Sequence, residues 1–264
     1  MTLEEHFGLA RPPFPRSAPD TALFRHPGVE QVLAGLRFAL ERDSIAMVIA
    51  ESGCGKSTVL SLFARSLDAA NYHLITTSLT TLAAFGFIAS LCAATGLKTV
   101  RFKGETASIL ISHLRGLPKK TVLLVDEAHL LPDDSLEDLR LLSADDFDRR
   151  PPFALVLAGQ PLLRERLAEP RHYALSQRIT VRTRLRPLSE TEVALFLERH
   201  LKAAGTSKNP FSPEATTALF HHSRGVPRLV QNLALQSLLT AMASGKKDVE
   251  QSCVEQAVVD LEEP

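Results

Sequence analysis

An ammonium, a hydroxyl and two carboxylates are spaced along this chain as polyphosphate chemistry requires. Lys56 and Ser57 close the stretch Ala50-Glu51-Ser52-Gly53-Cys54-Gly55-Lys56-Ser57-Thr58. This is a phosphate-loop pattern in which Ala50 stands where the opening glycine usually does. That position lies at a strand exit, away from the turn that wraps the phosphate, so binding is expected to survive the change. Gly53 and Gly55 fall in the turn itself, where a missing Cβ lets backbone N–H groups approach an anion. Lys56 then reaches the terminal phosphates and Ser57 offers its hydroxyl to Mg2+, with Ser52, Cys54 and Thr58 completing the cradle. Asp126 and Glu127 end a second apolar run, in the manner of a Walker B element. Asp126 suits Mg2+ held through water, and Glu127 suits a group that aligns and polarises an attacking water. Gln160 ends a third apolar run and is placed to sense a γ-phosphate.

Such side chains need strands whose carboxyl ends meet. The apolar run 45–49 reads as a buried strand, and 59–65 has the period of a helix. Residues 72–77 read as another strand. The run 121–127 is apolar until its two terminal carboxylates, which suits a central parallel strand covered on both faces. Residues 153–159 and 181–185 supply two more strands. Helices are expected over 29–40, 81–94, 106–114, 135–143 and 161–167, with a charged loop of Asp145, Asp146, Asp148, Arg149 and Arg150. This alternation predicts an α/β fold, a parallel sheet wound with helices, with ligands at the carboxyl ends of the strands. From Ser189 the strands stop. Four helices are expected over 190–204, 213–223, 227–244 and 249–261, separated by Gly205, Gly225 and Gly245. Ser189 with Glu192 makes a capping box, and Ser212 with Ala215 a weaker cap. The predicted organisation is an arm (1–28), a nucleotide-binding domain (29–187) and a small all-helical lid (188–264). In the arm, prolines alternate with Phe7, Phe14 and Phe24, so it should pack on the body, and His26 is a candidate neighbour of a nucleotide base.

Bulk composition restricts the partners less. The chain has 264 residues with 30 basic and 30 acidic side chains, so only local clusters of charge can speak for nucleic acid. Cys54, Cys92 and Cys253 show no metal-ligand spacing and fit a reducing compartment. The first residues do not read as a signal peptide, and no apolar run approaches the ~20 residues of a membrane span. A cytoplasmic protein with no membrane partner is expected.

The order of these motifs resembles AAA+ ATPases of the ExeA type, a group that includes general secretion pathway protein A and ATPases encoded beside transposases. The likeness runs through Phe7-Gly8-Leu9, Pro13-Phe14, the phosphate loop, Leu124-Val125-Asp126-Glu127-Ala128-His129-Leu130-Leu131 and Ala158-Gly159-Gln160-Pro161. It continues through Ser176-Gln177-Arg178-Ile179 and Gly225-Val226-Pro227-Arg228-Leu229. The resemblance implies a P-loop AAA+ core with a helical lid, using ATP and Mg2+. It implies that Arg178 is an arginine finger acting on a neighbouring subunit, and that Arg228 contacts phosphates within its own subunit. A finger in trans requires an ATP-dependent homo-oligomer, a ring or a filament.

Two functions are compatible with this machinery. One is a regulator of transposition that assembles with ATP on double-stranded DNA and presents it to a transposase. The other is a secretion-type ATPase assisting cell-envelope assembly. Secretion members are expected to carry a membrane span and a periplasmic part after the ATPase, and this sequence reaches Pro264 directly after the lid, so the transposition reading leads. Lys98, Arg101 and Lys103, in a glycine-bounded excursion, and Lys119 and Lys120, before the third strand, are the candidate DNA contacts. Contacts of this kind are to phosphates, independent of sequence and strongly salt-dependent.

Overall fold

The computed structural model describes residues 1–15, 23–78, 84–144 and 151–262. The charged loop expected at 145–150, and the start of the helix expected from 81, lie outside them. In chain order the elements begin with α1 (Leu3–Phe7), α2 (Pro27–Glu41), β1 (Ile45–Ala50), α3 (Lys56–Ser66), β2 (Tyr72–Thr77), α4 (Ala84–Ala94) and α5 (Lys103–Gly116). Next come β3 (Lys120–Val125), a 3-10 turn (Ala128–Leu130), α6 (Asp133–Ser143), β4 (Ala154–Gly159), α7 (Pro161–Leu167), α8 (Tyr173–Arg178) and β5 (Ile179–Leu185). The chain closes with α9 (Glu190–Ala203), α10 (Pro213–Ser223), α11 (Pro227–Ala243) and α12 (Gln251–Glu262). Two compact units result, one of residues 27–185 and one of residues 1–26 with 186–264.

The first unit is a five-stranded parallel sheet in the order β2-β3-β4-β1-β5. Burial explains the order. Every residue of β1 and β4 is buried, as are the last five of β3, whereas β2 is mostly half-buried with only Ile75 buried, β5 has exposed positions at intervals, and these two form the edges. The register levels three carboxyl ends, since Ile49 pairs with Gly159 and Val125 with Leu157. The chain therefore leaves β1, β3 and β4 at one edge of the sheet. One face of this edge rests on a core in which Phe87, Ile88 and Leu91 of α4 and Leu110 of α5 cluster with Leu123, Val125, Leu155 and Leu157.

Of the boundaries that differ from the sequence expectation, three bear on the predicted site residues. β3 stops at Val125, so Asp126 and Glu127 stand in the turn after it. The basic excursion ends at Phe102, because Lys103 already begins α5. β5 starts at Ile179, directly after a helix, α8, that the polar stretch 173–178 did not announce.

The second unit is helical. Both bonds of the Ser189–Glu192 capping box form, and the Ser212 hydroxyl accepts from the Ala215 N–H. A further capping box, Thr2 with Glu5, starts α1. The arm belongs to this unit: the Ala10 N–H donates to the Ala204 carbonyl at 2.8 Å, Lys247 Nζ donates to the His6 carbonyl at 2.8 Å, and Leu9 and Phe14 join Val193, Leu197, Val230 and Leu238 in one core.

His200 lies in that core between Phe14 and Phe196, with ring centroids at 5.4 and 4.4 Å, and its buried Nδ1 has no hydrogen-bond partner. Burial, reinforced by the charge of Arg199, pushes its pKa down to about 4. The unfolded chain would take up a proton near pH 6.5 that the native chain refuses until about pH 4. Stability should therefore be intact above pH 6.5 and fall as the pH drops through that window, by about 3 kcal/mol in full. Glu192, held down at about 2 chiefly by its bond to Arg186, titrates below this range. Urea melts at pH 7.5 and 5 should show the loss, and His200→Phe should reduce it. An equal loss in both proteins would refute the assignment.

Candidate nucleotide site

The phosphate loop follows from a strand that cannot continue and a helix that begins without a cap. After Ala50 the chain turns, the Cys54 N–H donating to the Glu51 carbonyl at 3.2 Å. Gly53 and Gly55 adopt φ of 82° and 89°, left-handed values that glycine reaches without strain. Gly55 caps α3 with no side chain bonded to the helix start. The first N–H groups of an eleven-residue helix, including those of Ser57 and Thr58, are thus left for an anion. The Cys54 thiol is buried, which with the Glu51 carboxylate raises its pKa and keeps it protonated. Ser52 is exposed at the loop's outer side.

Lys56, though charged, is buried, and its ammonium pairs with both Asp126 and Glu127 across the tip of β4. Ser57 Oγ donates to Asp126 Oδ2 at 3.2 Å, and the Glu127 N–H donates to Asp126 Oδ1 at 2.8 Å. A hydroxyl beside a carboxylate is a hard-oxygen pair that suits Mg2+. Among the described residues no cluster of three or more His, Cys, Asp or Glu could hold a metal on its own. A Mg2+ ion at Ser57 and Asp126 would accordingly depend on phosphate oxygens and water for its remaining ligands.

Glu127 sits at φ 52°, a left-handed conformation unusual outside glycine, and this turns its carboxylate back toward Lys56. Gln160 caps α7 at the end of β4, and its backbone N–H donates to His129 Nδ1 at 3.4 Å. The same nitrogen lies 3.5 Å from Glu127 Oε2. His129 is 7% exposed, and burial lowers its pKa against the opposing pull of Glu127. Below it Arg166 donates to the carbonyls of His129 and Leu131 at 2.8 and 2.6 Å and pairs with Asp133. Sequence reasoning passed over both residues. His129 stood within the run 124–131 that carries the family likeness but was given no role of its own, and Arg166 carried no signal.

Comparison with known proteins agrees with this geometry. The AAA domain family matches residues 39–167. General secretion pathway protein A of Aeromonas hydrophila is 32% identical over 254 residues, 93% of this chain and 46% of that protein, so the chain spans about half the length of that relative. The part that resembles the AAA domain family thus contains the phosphate loop, Asp126, Glu127 and Gln160. Solved structures share its fold at lower identity. Cdc6p from Pyrobaculum aerophilum superposes with a TM-score of 0.69 at 19% identity, covering 97% of this chain and 70% of that one. The Aeropyrum pernix ORC1 protein, solved in complex with DNA, gives 0.69 at 19% identity over 92% and 68%. The Thermotoga maritima RuvB Holliday junction branch migration motor gives 0.60 at 19% identity over 90% and 70%.

Other predicted residues fall elsewhere. Arg178 ends α8 at the amino end of β5, where Ile179 pairs with Ile45, and one of its guanidinium nitrogens donates to the Arg140 carbonyl at 3.2 Å. The phosphate loop leaves the other end of β1. Five strand steps separate the two ends, roughly 17 Å, beyond the span of one arginine side chain. Arg228 is exposed in the first turn of α11, in the helical unit. His26 belongs to that unit too, buried with its ring stacked on Phe24 and 3.8 Å from Glu192, and burial lowers its pKa.

The basic candidates divide. Lys120 donates to the Leu40 carbonyl at 2.6 Å and pairs with Asp43 at 2.9 Å, so it closes the carboxyl end of α2. Lys119 donates to the Ala69 carbonyl at 2.7 Å. Both stand at the amino edge of the sheet, opposite the phosphate loop. Lys103 pairs with the nearly buried Asp138 of α6 at 2.7 Å. Lys98 and Arg101 are exposed in the loop before α5, with the Arg101 guanidinium 5.8 Å from the ring of Phe102, itself 65% exposed. No helix among the described residues is long and apolar enough to cross a membrane.

Proposed function

We propose that this chain hydrolyses Mg2+-ATP in sites completed by a neighbouring copy, and that the assembled form grips double-stranded DNA. The observation that carries the first part is the ion cluster of Lys56, Asp126 and Glu127 beside Ser57 at one strand edge. A triphosphate entering the loop competes for the Lys56 ammonium and releases the two carboxylates to their tasks. Asp126 then holds Mg2+, which offsets charge on the phosphates, and Glu127 aligns the attacking water and accepts its proton. Gln160 senses the γ-phosphate. Arg178 lies at the far edge of its own sheet, which favours its serving another copy's phosphate, as a head-to-tail assembly allows. Arg228 keeps the phosphate-sensing role the family likeness gives it, and His26 that of base neighbour.

Support for DNA comes from the exposed pair Lys98 and Arg101 on a loop tied down by buried Thr106, whose hydroxyl bonds to Val100 and Phe102. It comes also from the shared fold with an ORC1 protein solved on DNA. Regulation of transposition, with a transposase as protein partner, is the cellular role we infer. A secretion role is the second reading, and the 32% identity with general secretion pathway protein A favours it.

The deciding experiment measures ATPase rate and co-sedimentation with duplex DNA at two salt concentrations. Stimulation and binding are expected, and indifference to DNA would support the secretion reading. Lys98→Glu with Arg101→Glu should weaken DNA binding at least about tenfold and lower the salt slope by about two, leaving ATP affinity unchanged. Unaltered DNA affinity and slope would remove this loop from the interface.

A further inference from the structure

We propose that His129 is a positioning residue that links the tip of β4 to Glu127, so that the placement of Gln160 governs where the Glu127 carboxylate points. The inference rests on Glu127 as the water-directing group.

One nitrogen faces two partners of opposite kind. The Gln160 N–H can only donate, so His129 Nδ1 meets it at 3.4 Å with a lone pair, and the ring proton then resides on Nε2. Glu127 Oε2, 3.5 Å from the same nitrogen, can only accept when ionised. A lone pair offers it nothing, and the carboxylate turns to the Lys56 ammonium through its other oxygen. If the β4 tip withdraws its N–H, Nδ1 can carry the ring proton instead and donate to Glu127. The imidazole therefore satisfies Gln160 or Glu127, never both, and each distance is at the long end for a hydrogen bond.

The surroundings leave the ring as the part able to respond. The backbone of the 128–131 turn is pinned by Arg166 at two carbonyls. Arg166 is in turn held by Asp133, which also accepts from Arg171 at 2.7 Å and lies 3.0 Å from His172 Nε2. Those partners keep the Asp133 pKa down at about 2, Arg166 foremost. On the other side, a Cβ added at Gly159 would come within 3.2 Å of the His129 backbone nitrogen and 3.1 Å of Leu163. The β4 tip and the turn touch without slack, so a small shift of Gln160 reaches His129 directly.

The test compares full-length His129→Asn, His129→Gln, His129→Leu and Glu127→Gln for kcat, KM and ATP affinity, with melting curves for each. An asparagine amide lies near the place of Nδ1, whereas a glutamine amide reaches toward that of Nε2. His129→Gln and His129→Leu should lower kcat by about tenfold to a hundredfold with KM and ATP affinity within about twofold. His129→Asn should retain most of the wild-type kcat. Equal kcat for the Asn and Gln variants, or an undiminished kcat in His129→Gln, would overturn the proposal even if His129→Leu fails to fold. Wild-type hydrolysis in Glu127→Gln would instead strike down the role of Glu127 itself.

Discussion

Glu127→Gln should lower the rate of phosphate release by about a hundredfold or more while ATP binding holds or tightens. The substitution keeps the size of the side chain and its capacity to hydrogen-bond, and removes the charge that polarises water. Binding should not suffer, because Lys56 is shared between Asp126 and Glu127. With one carboxylate neutralised, an incoming triphosphate displaces a single competing anion. Lys56→Ala would do the reverse and forfeit affinity, since the only buried ammonium at the loop would be gone. Single-turnover hydrolysis and equilibrium ATP binding, measured on the same preparation, separate these outcomes. An unimpaired rate in Glu127→Gln would require another base.

The largest effect on stability is expected at Gly225. Its φ is +71°, and a Cβ there would be driven into the backbone carbonyl of Leu188, whose own N–H donates to the Gly225 carbonyl at 2.8 Å. Two backbones in mutual contact cannot yield as a flexible side chain would. Gly225→Ala should cost about 4 kcal/mol or more, enough to unfold much of the helical unit. Gly245 supplies the control. At φ +68° it has nothing within 4 Å of its added Cβ, so Gly245→Ala should cost only the conformational penalty of about 1–2 kcal/mol. Hydrogen exchange across residues 186–262 would reveal both. Similar protection in the two variants would contradict the clash.

Much of the fold was legible because its signals are local. The runs IAMVIA, TVLLV and ALVLAG name three buried strands, and the turn residues after each name the site. The Gly205, Gly225 and Gly245 punctuation marked the helical unit correctly, all three with left-handed φ. What stayed hidden depends on pairing at a distance. Nothing local places β4 between β1 and β3, yet that insertion is what brings the end of β4, with Gln160 after it, between the carboxyl ends of those two strands. Nor could charge alone reveal that Lys120 is occupied by Asp43, 77 positions earlier, or Lys103 by Asp138. The α8 helix was obscured because its one buried residue, Leu175, is too little to make a periodic pattern. His129 was overlooked for a related reason. A histidine among apolar neighbours reads as packing until its nitrogen is seen between two polar partners.

The placement of Arg178 and the phosphate loop at opposite ends of neighbouring strands has a further implication for any assembly built through them. Stacked copies would all point the same way, with an unused arginine at one terminus and a solitary phosphate loop at the other. On the proposed trans role of Arg178, an open row would hold one fewer complete site than it has members, and the terminal copy would retain its nucleotide unspent, whereas closure into a circle would leave no such survivor.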